Sequence, residues 1–221
     1  MSGRAALAAD ARPGAVLGGG ADGDGPLPLI VAVHGLGDRP ENLLEMVQRC
    51  RLPARVVAPR GPLAYHDGYS WFDVRFDAEG AHIDAAEVTA ASDKLAALIA
   101  RSAWSHSTVG EPVVTGFSQG GILSFVVAAH HPEAVGLAVP IAGMLPDGVP
   151  LATDASARPR VRALHGSDDP VVPLQAAQAA VQRLSSAGWD ASLTVFAGVP
   201  HAVSREEHAE LCAALAAALP P

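Results

Sequence analysis

A serine set among small residues, Gly116-Phe117-Ser118-Gln119-Gly120-Gly121, ends one apolar run that begins at Pro112 and opens another that reaches Ala129. Such an order reads as a strand, a sharp turn and a helix, a setting that lifts a serine hydroxyl clear of a sheet and offers it as a nucleophile. Gly116 and Gly120 let neighbouring backbone pass where a Cβ would clash. A hydroxyl is a weak nucleophile alone; it needs a base to take its proton and an acid to orient that base. The chain supplies both further on. Asp168 and Asp169 follow the apolar run Arg160 to Leu164, and His201 follows the alternating run Ser192 to Phe196. All stand where expected strands end, the edge at which open parallel sheets bind ligands. The chemistry this order supports is acyl transfer to a serine.

Two adjacent carboxylates compete for the histidine. Pro170 restricts Asp169 to extended backbone, which suits a residue leaving a strand and favours Asp169 over Asp168. Near the front, the buried-strand run Leu29 to Val33 leads into His34-Gly35-Leu36-Gly37-Asp38. A glycine-punctuated loop there can aim the Leu36 N–H at a developing oxyanion, with the Gln119 N–H as second donor. His34 reads as a structural residue that fixes this loop by hydrogen bonding, since His201 has the better position for the base. Trp71 and Phe72 are expected to contact substrate, although Trp71 reads equally well as a core aromatic.

These residues must be positioned by the elements around them. Strand patterns fall at 28–33, 55–58, 112–116, 136–141, 160–165 and 191–196, and helix patterns at about 40–50, 84–102, 119–131, 173–187 and 203–218. Strands alternating with helices imply a mostly parallel sheet covered on both faces, an α/β class. Residues 1–26, rich in Ala, Gly and Asp, read as a flexible N-terminal segment with a short edge strand around Ala15 to Leu17; 27–221 reads as one domain. The long segment before helix 84–102 and the stretch Gly143 to Pro159 border the site, and neither carries the amphipathic helix of a large lid.

Composition narrows the function classes. A net charge of −8 argues against a nucleic-acid surface, which needs clustered Lys and Arg. No apolar stretch is long enough for a membrane span, and the N-terminus lacks a signal-peptide core, so a cytoplasmic location is expected. Cys50 and Cys212 are expected to be reduced packing residues on helices. The 9 histidines are scattered, with His130-His131 at a helix end where cationic side chains favour the dipole. No metal and no cofactor are expected.

The chain resembles the phospholipase/carboxylesterase family of α/β-hydrolases. The matching stretches are His34-Gly35-Leu36-Gly37-Asp38, Ala58-Pro59-Arg60-Gly61-Pro62, Ser70-Trp71-Phe72-Asp73, Gly116-Phe117-Ser118-Gln119-Gly120-Gly121, His165-Gly166-Ser167-Asp168-Asp169-Pro170-Val171-Val172-Pro173 and Pro200-His201. The resemblance implies an α/β-hydrolase fold, with Ser118 as nucleophile, Asp169 as acid and His201 as base. It further implies a serine carboxylesterase that hydrolyses short-to-medium-chain esters through an acyl-enzyme. The alternative is an acyl-protein thioesterase or lysophospholipase acting on longer chains, and a remote one is a non-catalytic ligand-binding scaffold. The partner expected is a small-molecule ester, with monomer and homodimer both open. Two stretches depart from the family: the first 26 residues, and the variable loop Tyr65-His66-Asp67-Gly68-Tyr69.

Overall fold

Alternation inside a single strand sets the layers of this molecule. Every residue of β2 (Leu29–Val33) is buried. Leu29, Val31 and Val33 pack into one apolar layer, Ile30 and Ala32 into the other. Successive side chains of a strand point to opposite faces, so a strand with no polar residue requires cover on both. The computed structural model describes residues 16–18, 25–77, 80–105, 107–153 and 158–220.

The main sheet has seven strands in the order β1 (Val16–Gly18), β3 (Arg55–Val57), β2, β8 (Val113–Phe117), β9 (Leu137–Ile141), β10 (Arg160–Gly166) and β11 (Ala191–Phe196). Among the described residues of this sheet, the β1–β3 pair alone is antiparallel. The face formed by Ile30 and Ala32 is covered by α1 (Pro40–Gln48) and α5 (Arg205–Ala216), which contribute Leu43, Leu44, Val47, Leu211 and Leu215. The opposite face carries α2 (Ala85–Ser105), α3 (Gln119–His130) and α4 (Leu174–Ser186). Gln119 to Ala129 of α3 are all buried. A helix apolar on every side belongs inside, and burial of each of its large aliphatic side chains contributes about 1.5–3 kcal/mol.

The strand and helix patterns read from the sequence match these elements to within a few residues, and an edge strand lies at Val16–Gly18. Most of the N-terminal segment expected to be flexible lies outside the described residues. Two features differ from expectation. The segment before α2 is built of two hairpins, β4 (Leu63–Tyr65) with β5 (Gly68–Ser70) and β6 (Val74–Asp77) with β7 (Gly80–Ile83). The cysteines are not reduced: Cys50 and Cys212 are joined in a disulfide. Cys212 lies on α5, whereas Cys50 sits in the turn after α1, so the bond ties those two helices together. Distance in sequence hid the pairing. Among the described residues, no helix is long and apolar enough to cross a membrane.

Candidate active site

β8 ends at Phe117 and α3 begins at Gln119, leaving Ser118 alone in the turn with φ 56° and ψ −114°. A non-glycine residue at positive φ is strained and persists only where its surroundings over-determine it. Here the Ser118 N–H donates to the Ile141 carbonyl at 2.9 Å, and the Ser118 carbonyl accepts the Ile122 N–H at 2.9 Å. The close approach of α3 to the sheet requires glycine: a Cβ on Gly120 would overlap the carbonyl oxygen of Val33. The turn therefore holds the serine side chain outward at the end of the strand.

His201 meets it there. His201 Nε2 lies 2.9 Å from Ser118 Oγ, and His201 Nδ1 lies 2.7 Å from Asp169 Oδ2. With Nδ1–H donated to the carboxylate, the Nε2 lone pair is left to accept the serine proton. The Asp169 carboxylate is fully buried. Its Oδ1 accepts the N–H groups of Val171 at 2.8 Å and Val172 at 2.9 Å, so the acid is oriented by its own loop. His165 donates Nε2–H to the Val172 carbonyl at 2.8 Å and braces the same turn. Asp168 points elsewhere: it is exposed and accepts from Ser167 Oγ at 2.6 Å.

The loops that carry Asp169 and His201 are also tied to one another. Ser167 N–H donates to the Phe196 carbonyl at 2.9 Å, Asp168 N–H to the Val199 carbonyl at 3.0 Å, and Gly198 N–H to Ser167 Oγ at 2.8 Å. The Phe117 ring lies 4.8 Å from the His201 ring and limits its swing.

Among the described residues, the N–H groups of Leu36 and Gln119, the expected oxyanion donors, take no part in the backbone–backbone hydrogen bonds of the loops and caps. Neighbouring residues hold the Leu36 loop in place. His34 is completely buried; its Nδ1–H donates to the Gly35 carbonyl at 2.7 Å and its Nε2 accepts the Gly61 N–H at 3.0 Å. That pattern needs a neutral ring. Burial supplies the reason, holding the His34 pKa below its usual 6.5 against the opposing pull of the Gly35 carbonyl, Asp38 and Glu41. The hairpin β4–β5 grips the loop from outside, with Gly37 N–H donating to the Tyr69 carbonyl at 2.9 Å and Tyr69 N–H to the Asp38 carbonyl at 3.0 Å. His34 is thus the loop-fixing residue expected from its position.

Trp71 and Phe72, expected to contact substrate, lie in the core at 8% and 2% exposure. Trp71 donates Nε1–H to the His34 carbonyl at 3.0 Å and so supports the Leu36 loop from beneath. Its remaining exposed edge lines a cavity of about 320 Å³ with Leu95 and Leu98 of α2. A larger cavity of about 470 Å³ lies between α1 and the start of α5, and none of Ser118, Asp169 and His201 lines it.

Sequence reasoning missed the side-chain role of Gln119, and it missed Glu207 altogether. The buried Gln119 side chain accepts the Trp71 N–H at 2.9 Å through Oε1 and donates from Nε2 to the Phe72 carbonyl at 2.9 Å, clamping the 70–72 segment onto the elbow. Glu207, also fully buried, closes a capping box with Ser204 at the start of α5. Burial pushes its carboxyl up to about 7; the Ser204 backbone N–H opposes this, and the nearby Asp169 charge adds to it. The Ser204-Arg205-Glu206-Glu207 spacing was the available signal for that cap.

Known proteins share this arrangement of chain and fold. The chain is 27% identical over 196 residues to the carboxylesterase SOBER1 of Arabidopsis thaliana, covering 80% of this chain and 85% of that one. It is 25% identical over 213 residues to acyl-protein thioesterase 1 of Gibberella zeae, covering 87% and 91%. The fold matches the crystal structure of a carboxylesterase from Mesorhizobium loti with a TM-score of 0.75 at 24% identity, over 91% of this chain and 92% of that one. The model of the phospholipase/carboxylesterase family matches residues 22–218, which takes in the serine turn, both loops tied behind it and the Leu36 loop; to that family of α/β-hydrolases this chain belongs.

Proposed function

We propose that this carboxylic ester hydrolase cleaves short- to medium-chain esters through an acyl-enzyme on Ser118. The observation that carries the reading is the unbroken hydrogen-bond chain from Asp169 Oδ2 through His201 to Ser118 Oγ, at 2.7 and 2.9 Å. Ser118 Oγ attacks the acyl carbon while its proton passes to His201 Nε2, and the Asp169 carboxylate stabilises the imidazolium. The oxyanion is received by the N–H groups of Leu36 and Gln119, a contribution of about 3 kcal/mol for each well-aimed donor. As the tetrahedral species collapses, the ester C–O bond breaks and His201 returns the proton to the leaving alcohol. Water, deprotonated by His201, then attacks the acyl-enzyme, releasing the acid and restoring Ser118.

Labelling with a fluorophosphonate followed by peptide mass spectrometry tests the nucleophile. Modification is expected on Ser118 alone, and Ser118→Ala should lower kcat by about 10⁴ or more with its fold intact. Hydrolysis by that variant close to wild type refutes the reading.

The preference for shorter chains is supported by the absence of a lid helix among the described residues between β3 and α2. The thioesterase reading draws on the likeness to acyl-protein thioesterase 1, which this chain covers over most of its length. A series of aryl esters separates the two. Each methylene that finds an apolar pocket adds about 0.8 kcal/mol, roughly fourfold in kcat/KM. A rise that stops near hexanoyl fits the proposal, whereas a rise continuing to palmitoyl fits the thioesterase. The expectation of a cytoplasmic location meets a disulfide, a bond that oxidising compartments preserve. Thiol labelling of Cys50 and Cys212 in intact cells decides between compartments.

A further inference from the structure

At the end of α3 remote from Ser118, two consecutive histidines turn toward one carboxylate of α2. His131 Nε2 lies 2.8 Å from Asp93 Oδ1, and His130 Nε2 lies 3.8 Å from the same oxygen. One ligand atom from each of the three residues falls within 4.8 Å of the others. The rings stand nearly edge to face, with centroids 4.7 Å apart. Both imidazoles are mostly buried, and Asp93 is about half exposed. We propose that Asp93, His130 and His131 form a binding site for a divalent transition-metal ion, zinc or a close neighbour in the series, that ties α2 to the end of α3.

The other nitrogen of each ring is placed to support such a site. His130 Nδ1 faces the Pro150 carbonyl at 3.3 Å, and His131 Nδ1 stands 3.6 Å from Glu133 Oε1. Without an ion, one proton on each neutral ring satisfies the two hydrogen bonds, His130 Nδ1–H to Pro150 and His131 Nε2–H to Asp93. A divalent cation would take the place of the proton that His131 Nε2 shares with Asp93, and His130 Nε2, 3.8 Å from the same oxygen, would bring its lone pair to that ion. In metal-bound histidine the non-ligating nitrogen donates to a carbonyl or carboxylate that fixes tautomer and ring orientation, and Pro150 and Glu133 stand on that side of the two rings.

Distances and charge agree. Tetrahedral bonds of about 2.0–2.2 Å from zinc to imidazole nitrogen and carboxylate oxygen put ligand atoms roughly 3.3 Å apart. The separations of 2.8 and 3.8 Å straddle that value, so small rotations seat the ion. Two imidazoles out of three ligands select zinc, copper or nickel over magnesium or calcium, which prefer all-oxygen sites. The carbonyl end of α3 adds a favourable negative field. Since α3 has 12 residues, it separates this site from Ser118 by about 18 Å, too far for the ion to touch a substrate there. Its effect is on the union of the two helices, not on the ester.

Zinc chloride titrated by calorimetry into the full-length, chelator-stripped, disulfide-bonded protein tests this. One saturable site per chain is expected, with a rise in unfolding temperature on zinc addition. His131→Ala and Asp93→Asn should weaken zinc binding by about 100-fold or more and abolish the thermal shift, while Glu133→Gln, acting through His131, should weaken it by about tenfold. Ester hydrolysis by these variants, unchanged from wild type, reports that they are folded. His208→Ala removes the imidazole beside Cys50 and Cys212 and should leave zinc affinity intact. No saturable zinc binding, affinity within about twofold of wild type in His131→Ala, loss in His208→Ala instead, or equal binding of magnesium would each overturn the proposal.

Discussion

Glu207→Gln is expected to stabilise this protein at neutral and alkaline pH and to flatten its stability profile in the acid range. Glu207 is wholly buried; its Oε2 accepts the Ser204 N–H at 3.3 Å, and its Oε1 has no hydrogen-bond partner among the described residues. Burial first, and the Asp169 charge in addition, move its pKa from 4.5 up to about 7. The sign follows from which state holds the proton. Below pH 4.5 the folded and unfolded chains both carry it, and the carboxyl imposes no ionisation penalty. Between 4.5 and about 7 the unfolded chain ionises while the folded one does not, so stability falls as pH rises. Above that interval both are ionised and the loss stays constant. At about 1.4 kcal/mol per pH unit the full loss is on the order of 3 kcal/mol. Glutamine keeps the reciprocal cap, because its amide oxygen still accepts from Ser204. It has no proton to lose. The variant should therefore match the wild type near pH 4.5 and exceed it by about 2–3 kcal/mol near pH 8. Urea unfolding across that range measures the difference directly, with contributions from all other carboxyls cancelling between the two proteins. Parallel profiles for the two proteins would refute the reasoning.

Two further outcomes are expected. Asp169→Asn should lower kcat by about 10⁴, because the amide can neither hold the His201 tautomer nor stabilise the imidazolium; Asp168→Asn should stay within about tenfold, a barrier change of roughly 1.4 kcal/mol or less. The reverse ranking in steady-state kinetics at neutral pH would contradict the geometry of the acid loop. Gly120→Ala should destabilise the fold by about 3 kcal/mol or more, since its Cβ meets the Val33 carbonyl, which is held by the sheet and cannot give way; an unfolding midpoint equal to wild type would show that the helix can shift to make room.

Much of the architecture was legible because single strands carry the information. Leu29 to Val33 has no polar residue, which forces cover on both faces wherever the strand lies, and the turn at Ser118 announces itself through its flanking glycines. The hairpin β4–β5 was not legible, for a specific reason. Its two-residue loop, His66-Asp67, puts His66 at φ 48° without the glycine or asparagine that ordinarily marks such turns. Trp71 and Phe72 meet a related limit: an aromatic pair in a long connecting segment looks the same whether it lines a pocket or props up a loop from below, and Trp71 does both. The Gln119 side chain was invisible because its partners, Trp71 N–H and the Phe72 carbonyl, are backbone groups that leave no trace in residue identity. Cys50 and Cys212 stand 162 positions apart, and only the docking of α5 beside the end of α1 brings them together.

That disulfide changes the connectivity of the whole molecule. Ser118, Asp169 and His201 all fall between its two cysteines, so the groups of the proposed triad belong to one closed covalent ring. A protease cutting once anywhere in the ring opens it into a line without freeing a fragment. The piece bearing the serine and the piece bearing the histidine stay linked through sulfur, at an effective concentration set by the tether and not by dilution. Two cuts, or one cut and a reductant, are needed to part them. In its oxidised form the protein can be nicked and still keep its parts together, and that tolerance disappears when the single bond between α1 and α5 is reduced.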